Sequence, residues 1–229
     1  KKAVSFVVPA LNEEHNIVGT VEQIRIAAAP LDEYEIVLVN DGSTDKTGAV
    51  MEALAAEDKH IRVVHNGKNL GFGGAYKAGM TMARMPYVIM IPGDNNHPAG
   101  GIEPILEHIG EADIIIPYVA NSHVRQFKRR IISSAFRRLL NLLFGLRIKY
   151  YNGLVLHRRD LLSTITIETN SFAYQAEALV KLSRRGASNL AIPVLVSDRG
   201  DHATRAFRIK NVLAVMETVW RLMWNSDRP

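Results

Sequence analysis

The 229-residue chain contains no cysteine. That excludes a disulfide framework and thiolate metal sites, and it fits a cytoplasmic setting. It also lacks a run of about 18 apolar residues that would span a bilayer. The apolar stretch Lys1–Val8 is too short for a secretory signal and ends at Pro9. Internal repeats, low-complexity segments and a clean linker are missing as well. Acidic residues are absent from one long stretch, Arg125–Lys149, which holds eight Lys or Arg. What remains is ordinary globular material, 47% hydrophobic and 22% charged, long enough for one domain with a sizeable core. The net charge of +5 points to an anionic partner: nucleic acid, phospholipid or a phosphorylated substrate.

The first half alternates short apolar runs with helical patterns. Strands are expected at Val4–Val8, Glu35–Val39, Ile61–His65, Tyr87–Ile91 and Asp113–Pro117. Helices are expected between them. Asn12–Ala28 is capped near Asn12, with Glu13 and Glu14 in its first turn, and Thr44–Glu57 is capped by Ser43. Gly71–Ala83 and Ile102–Ile109 follow. This order predicts an α/β fold, a mostly parallel sheet with helices on both faces. Ligands of such sheets bind beyond the carboxyl ends of the strands, so the polar segments 9–16, 40–45, 66–74 and 92–98 carry the most weight. The second half predicts a helix over Asn170–Arg185, a strand over Leu190–Val196 and a last amphipathic helix over Phe207–Trp224. The expected organisation is one domain over 1–205 and an amphipathic, membrane-associated extension over 206–229.

Asn40-Asp41-Gly42-Ser43-Thr44-Asp45 follows the second strand. A strand-to-helix turn explains Gly42 and Ser43 but gives Asp41 no task. A carboxylate there can accept hydrogen bonds from a base N–H or a ribose hydroxyl. Pro9-Ala10-Leu11-Asn12-Glu13 follows the first strand, and by itself it reads equally well as a helix start. Together the two segments resemble family 2 glycosyltransferases of the GT-A fold. In that family the first strand ends in Pro-x-x-Asn-Glu and the second in Asp-Asp-Gly-Ser-x-Asp. Here the first of those aspartates is Asn40. The resemblance implies a nucleotide-sugar donor site containing Pro9, Asn12, Glu13, Asp41, Gly42 and Ser43.

Pro92-Gly93-Asp94-Asn95-Asn96-His97-Pro98 stands where the family carries Asp-x-Asp, the metal motif on the donor diphosphate. Aligned on His97-Pro98, the segment is similar to polyprenyl-phosphate mannose synthases, with Pro92 replacing the first Asp. The resemblance implies Mg²⁺ or Mn²⁺ held by Asp94 and Asn96, with Gly93 beside the donor. A polar turn also accounts for Gly93 and Pro98. Asn69-Leu70-Gly71-Phe72-Gly73-Gly74 opens the third helix with glycines but lacks the dinucleotide spacing. It reads either as a packing cluster or, through the resemblance, as a donor loop with Asn69 and Gly71 at the phosphates.

The resemblance runs on through Lys128–Ser133, Leu142–Leu146 and Asn152-Gly153-Leu154 to polyprenyl-phosphate glycosyltransferases, covering roughly residues 3–210. It implies an acceptor side at Tyr174 and Gln175. It also implies a loop closing over the donor diphosphate through Arg199, Thr204 and Arg205. The acid-free stretch alternates arginines with a helical apolar stripe, as a helix lying in an anionic membrane surface does. Packing of that stripe onto the sheet is the alternative. Arg129 and Arg130 are the candidates for the acceptor phosphate. The expected reaction is inverting sugar transfer from GDP-mannose or a UDP-hexose to a polyprenyl or dolichyl phosphate at the cytoplasmic membrane face. Asp94, Arg199 and Arg205 would assist the leaving diphosphate. A hydroxyl acceptor would need a base, for which Glu177 stands ready. Transfer to a polysaccharide or soluble acceptor, and a non-catalytic nucleotide-sugar-binding module, are the rival readings. Nucleic acid is not the expected partner, because the basic residues interleave with leucines rather than stacking aromatics.

Overall fold

The computed structural model describes residues 1–96, 100–121, 127–195 and 209–224. Strand β1 (Ala3–Ala10) is buried along its whole length. Its Val4, Phe6 and Val8 face one layer of helices and Val7 faces the other, as alternation along a strand requires. Strands β2 (Glu33–Asn40), β3 (Ile61–His65), β4 (Tyr87–Met90), β5 (Ile114–Val119), β6 (Leu156–Arg158) and β7 (Asn189–Val194) complete one sheet. Its order is β3-β2-β1-β4-β6-β5-β7. Among the described strands only β6 runs against its neighbours. Helices α1 (Ile17–Ala28), α2 (Thr47–Glu57) and α4 (Glu103–Glu107) cover one face. Helices α3 (Phe72–Met80), α5 (Phe127–Phe144), α6 (Arg159–Leu162), α7 (Tyr174–Arg184) and α8 (Ile209–Trp224) belong to the other. The chain reverses direction across the sheet at β1, with β2 on one side and β4 on the other. That switch point opens a crevice at the carboxyl ends of β1, β2 and β4.

Several boundaries differ from expectation for a common reason. Helix α1 starts at Ile17, not Asn12, and α2 at Thr47, not Thr44. Asn12 and Ser43 are good caps, but each serves the other's loop instead of its own helix. Glu13 and Glu14 therefore precede the first turn. Helix α7 starts at Tyr174, because its Glu177 holds the Glu168 and Thr169 N–H groups and the Ser171 hydroxyl takes the Ala173 N–H. Strand β6 escaped the pattern reading: it has three residues, and two of them, His157 and Arg158, are polar. No helix among the described residues is long and apolar enough to cross a membrane.

Candidate functional site

Two strand-end loops lock together at the crevice. Asn12, held at φ 57°, donates its N–H to Ser43 Oγ at 3.0 Å. Its side-chain carbonyl accepts Thr44 N–H at 2.8 Å. The Glu13 N–H reaches Thr47 Oγ1 at 2.8 Å and the Glu14 N–H reaches Asp45 at 3.3 Å, while Glu14 accepts the Lys46 N–H at 2.8 Å. Burial alone would raise the Asp45 carboxyl, but hydrogen bonds from Thr47 outweigh it and hold the group below its ordinary range. Pro9 is buried and its carbonyl accepts the Gly93 N–H at 3.0 Å, which ties the first loop to the fourth. Glu13 has one oxygen on Asn16 at 2.7 Å.

Asp41 is 4% exposed. Its carboxylate accepts Asn66 Nδ2 at 2.8 Å, Leu70 N–H at 2.9 Å and, at 3.2 Å, Gly71 N–H, which is shared with Asn69 at 2.8 Å. A carboxylate offers about four lone-pair sites, so roughly one is left for a ligand. The task missing from the sequence reading is therefore supplied: Asp41 holds the third loop against the second. The close approach explains two glycines. Gly42 sits at φ 73°, and a Cβ on it would lie 2.7 Å from Asn69 N. Gly71 sits at φ 81°, with Asn170 O only 2.8 Å from the Cβ position.

Asp94 lies just past β4 on an open turn. Both its oxygens face Asn96, at 3.2 Å to the N–H and 3.1 Å to the side-chain amide. Asn95 is held beneath by Gln23 at 2.8 Å and Thr20 at 3.1 Å. Among the described residues no group of three or more His, Cys, Asp or Glu could hold a metal ion. One half-exposed carboxylate still fits a hard cation that completes its shell with diphosphate oxygens and water.

The residues expected on the acceptor side divide. Helix α7 is buried from Tyr174 through Leu182. Tyr174 packs on Tyr76 with ring centres 4.7 Å apart, and the Gln175 amide faces His157 at 3.3 Å. Both are buried in the core, at 4% exposure each. Glu177 is 2% exposed and fully engaged: it accepts the N–H groups of Glu168 and Thr169 at 2.9 and 3.0 Å and pairs with Lys181 at 3.0 Å. It is poorly disposed to serve as a base. Burial lowers the Lys181 ammonium, but Glu177 and Glu168 more than offset that and raise it.

Helix α5 presents its apolar residues outward. Leu142 is 82% exposed, and Phe127, Ile131, Ile132 and Leu139 are exposed with it, alongside Arg130 and Arg138. Among the described side chains of α5 only Leu140, with Phe136 and Phe144 partly, joins the core. The Arg129 side chain, and Arg199, Thr204 and Arg205, lie outside the described residues, as do His97 and Pro98. The strand-end rule placed Asn66 in the weighted segment 66–74 but gave it no role, and sequence reasoning missed Asn170. Asn170 reaches the third loop from far along the chain, with no local signal.

A model of the family described as glycosyl transferase family 2 matches residues 5–172. The chain is 27% identical to the glycosyltransferase AglD of Haloferax volcanii, over 96% of this chain but 37% of that protein. It thus spans well under half of that relative's length. It is 26% identical to the undecaprenyl-phosphate mannosyltransferase of Micrococcus luteus, over 86% of this chain and 84% of that one. The fold matches, with TM-score 0.69, glucosyl-3-phosphoglycerate synthase from Mycobacterium tuberculosis in complex with Mn²⁺, UDP and phosphoglyceric acid. The two are 19% identical, over 99% of this chain and 79% of that one. The sheet order and this likeness describe a GT-A-type fold, and with the family match over most of its length the chain is a glycosyltransferase that belongs to glycosyl transferase family 2.

Proposed function

We propose that this glycosyltransferase moves a hexose from a nucleotide-diphosphate sugar to a polyprenyl phosphate, with inversion. The donor is GDP-mannose or a UDP-hexose. The observation that carries the acceptor reading is α5: its outward face is apolar and basic together, a surface suited to an anionic bilayer and to a lipid whose head is a phosphate. The relationship to an undecaprenyl-phosphate mannosyltransferase supports the same class of acceptor.

The chemistry asks little of a base. A phosphate monoester is largely ionised near neutral pH, so its oxygen attacks the anomeric carbon directly. The bond to the diphosphate oxygen breaks with its electron pair as the new carbon–oxygen bond forms on the opposite face. The protein's contribution is positioning and charge. Glu13 and the free side of Asp41 receive the base and ribose. The third loop, whose Leu70 and Gly71 N–H groups are taken by Asp41 and Asn69, is thereby fixed in place beside the diphosphate. Asp94 and Asn96 would hold a divalent cation, which neutralises charge on the leaving diphosphate. By the family resemblance Arg199 and Arg205 would serve the same group, and Arg129 and Arg130 would take the acceptor phosphate. Residues 1–205 form the catalytic unit and 206–229 an extension, lying on the cytoplasmic membrane face.

The test is acceptor dependence. Release of nucleoside diphosphate is measured with polyprenyl phosphate, with free saccharides, or with water alone. Release that requires polyprenyl phosphate is the expected result. Release driven equally by a saccharide without lipid overturns the acceptor assignment.

A further inference from the structure

Residues 167–171 join α8 to the third strand-end loop. On one side, the Asn170 carbonyl accepts the Gly73 N–H at 2.9 Å, and Lys77 Nζ donates to the Glu168 carbonyl at 3.1 Å. The backbones touch so closely that a Cβ on Gly73 would lie 2.8 Å from Thr169 O and 2.9 Å from Ser171 O. On the other side, Glu177 takes the N–H groups of Glu168 and Thr169. The Glu177 and Lys181 side chains are each 3% exposed and 3.0 Å apart, and Lys181 also donates to Thr166 O at 2.8 Å. Thr218, Arg221 and Leu222 of α8 line one small cavity together with Glu168, Glu177 and Lys181. Arg221 meets Glu168 at 3.3 Å, and Arg184 grips the Leu222 carbonyl at 3.0 Å.

A buried ion pair is a poor way to gain stability, since well-packed apolar residues commonly do as well. This pair does something apolar residues cannot, because its carboxylate fixes two backbone N–H groups in the segment that braces the Gly71–Gly74 backbone. We infer that Glu177, paired with Lys181, is a positioning residue for the donor loop Asn69–Gly74, and that α8 is the cover that keeps the pair out of water. The inference rests on the donor site proposed above. It also links two regions. Met216, Trp220 and Trp224 point outward from α8, so a lipid surface that holds this helix down steadies the donor loop.

Two variants test this. Glu177→Gln alone leaves the buried Lys181 ammonium with Glu168 at 3.3 Å as its remaining carboxylate and invites unfolding, so it is combined with Lys181→Met. Leu222→Ala loosens the cover separately. Amide exchange is followed at Leu70, Gly71 and Gly73, with Val7 and Val37 of the central strands as references. Both variants are expected to exchange about tenfold faster at Gly73 with the references unchanged, a local opening. Donor KM is expected to rise by about the same factor while kcat changes less than about twofold. Unchanged exchange at Gly73 in both variants overturns the inference. So does equal acceleration at Val7 and Val37, which is general loss of stability. If the wild type binds neither UDP nor GDP, the donor-site reading falls, and the exchange measurement still decides whether Glu177 positions the loop.

Discussion

Replacing Asp41 separates a loop-holding role from a purely ligand-binding one. In Asp41→Asn, the remaining carbonyl can keep Asn66 and Leu70, which share Oδ1, while the new amide faces Gly71 N–H, which still has Asn69. The loss is then one weak bond and the charge assistance of two others, about 1 kcal/mol. In Asp41→Ala, the Leu70 N–H loses its acceptor and Asn66 its anchor, in a site only 4% exposed. Two charge-assisted hydrogen bonds vanish and a backbone donor is stranded, about 3 kcal/mol. A nucleotide must then re-form the loop as it binds. At 1.4 kcal/mol per tenfold, binding weakens roughly fivefold in Asn and up to roughly hundredfold in Ala. Calorimetric titration of UDP and GDP with Mn²⁺ reads both values, and circular dichroism shows that the variants are folded. A folded Asp41→Ala that binds as tightly as the wild type refutes the loop-holding argument. Equal losses in Asn and Ala also refute it, since that pattern belongs to a direct charge contact.

Further outcomes follow from other parts of the molecule. Gly71→Ala puts a Cβ at 2.8 Å from Asn170 O on a residue at φ 81°, so it should cost about 2 kcal/mol or more in thermal stability and raise donor KM. Asp94→Ala should abolish the extra thermal stabilisation that Mn²⁺ gives with a nucleoside diphosphate, leaving the metal-free stability unchanged within about 0.5 kcal/mol. Leu142→Asp, at an 82% exposed position, should leave folding intact yet reduce co-sedimentation with anionic vesicles at least tenfold by about 2 kcal/mol of lost burial. Equal sedimentation of both proteins would remove α5 from the membrane face. Burial pushes the His157 imidazole down to about 4 from 6.5. The unfolded chain therefore binds more protons than the fold between these values, and stability falls as pH drops from about 6.5 to 4, by up to about 3 kcal/mol. Urea midpoints across that window should slope less in His157→Leu.

The donor half of the fold was legible because its strands are buried runs punctuated by polar ends. Alternation and burial agree from Val4 to Ile91, and the strand-end rule then selects Pro9–Glu13, Asn40–Asp45 and Asp94. The helix starts were not legible. Asn12 and Ser43 carry cap chemistry, and nothing local says that each satisfies the other loop. The same physics hid the work of Glu177. A glutamate in the first turn of a helix looks available to solvent or substrate, and only the surrounding layers turn it into a clasp for residues 168–169. The burial of Tyr174 and Gln175 was hidden for this reason too. Helix α5 shows the converse. Its apolar stripe fitted either packing or a membrane surface, and Ile131, Leu139 and Leu142 are exposed rather than packed onto the sheet.

One measurement bears most directly on the central claim. Donor carrying a radiolabelled sugar, either GDP-mannose or a UDP-hexose, is incubated with the protein, polyprenyl phosphate and Mn²⁺, then partitioned between organic solvent and water. The account predicts label in the organic phase for at least one donor, lost in Asp94→Ala and strongly reduced in Asp41→Ala. A folded wild type that leaves all label in the aqueous phase with every donor contradicts it.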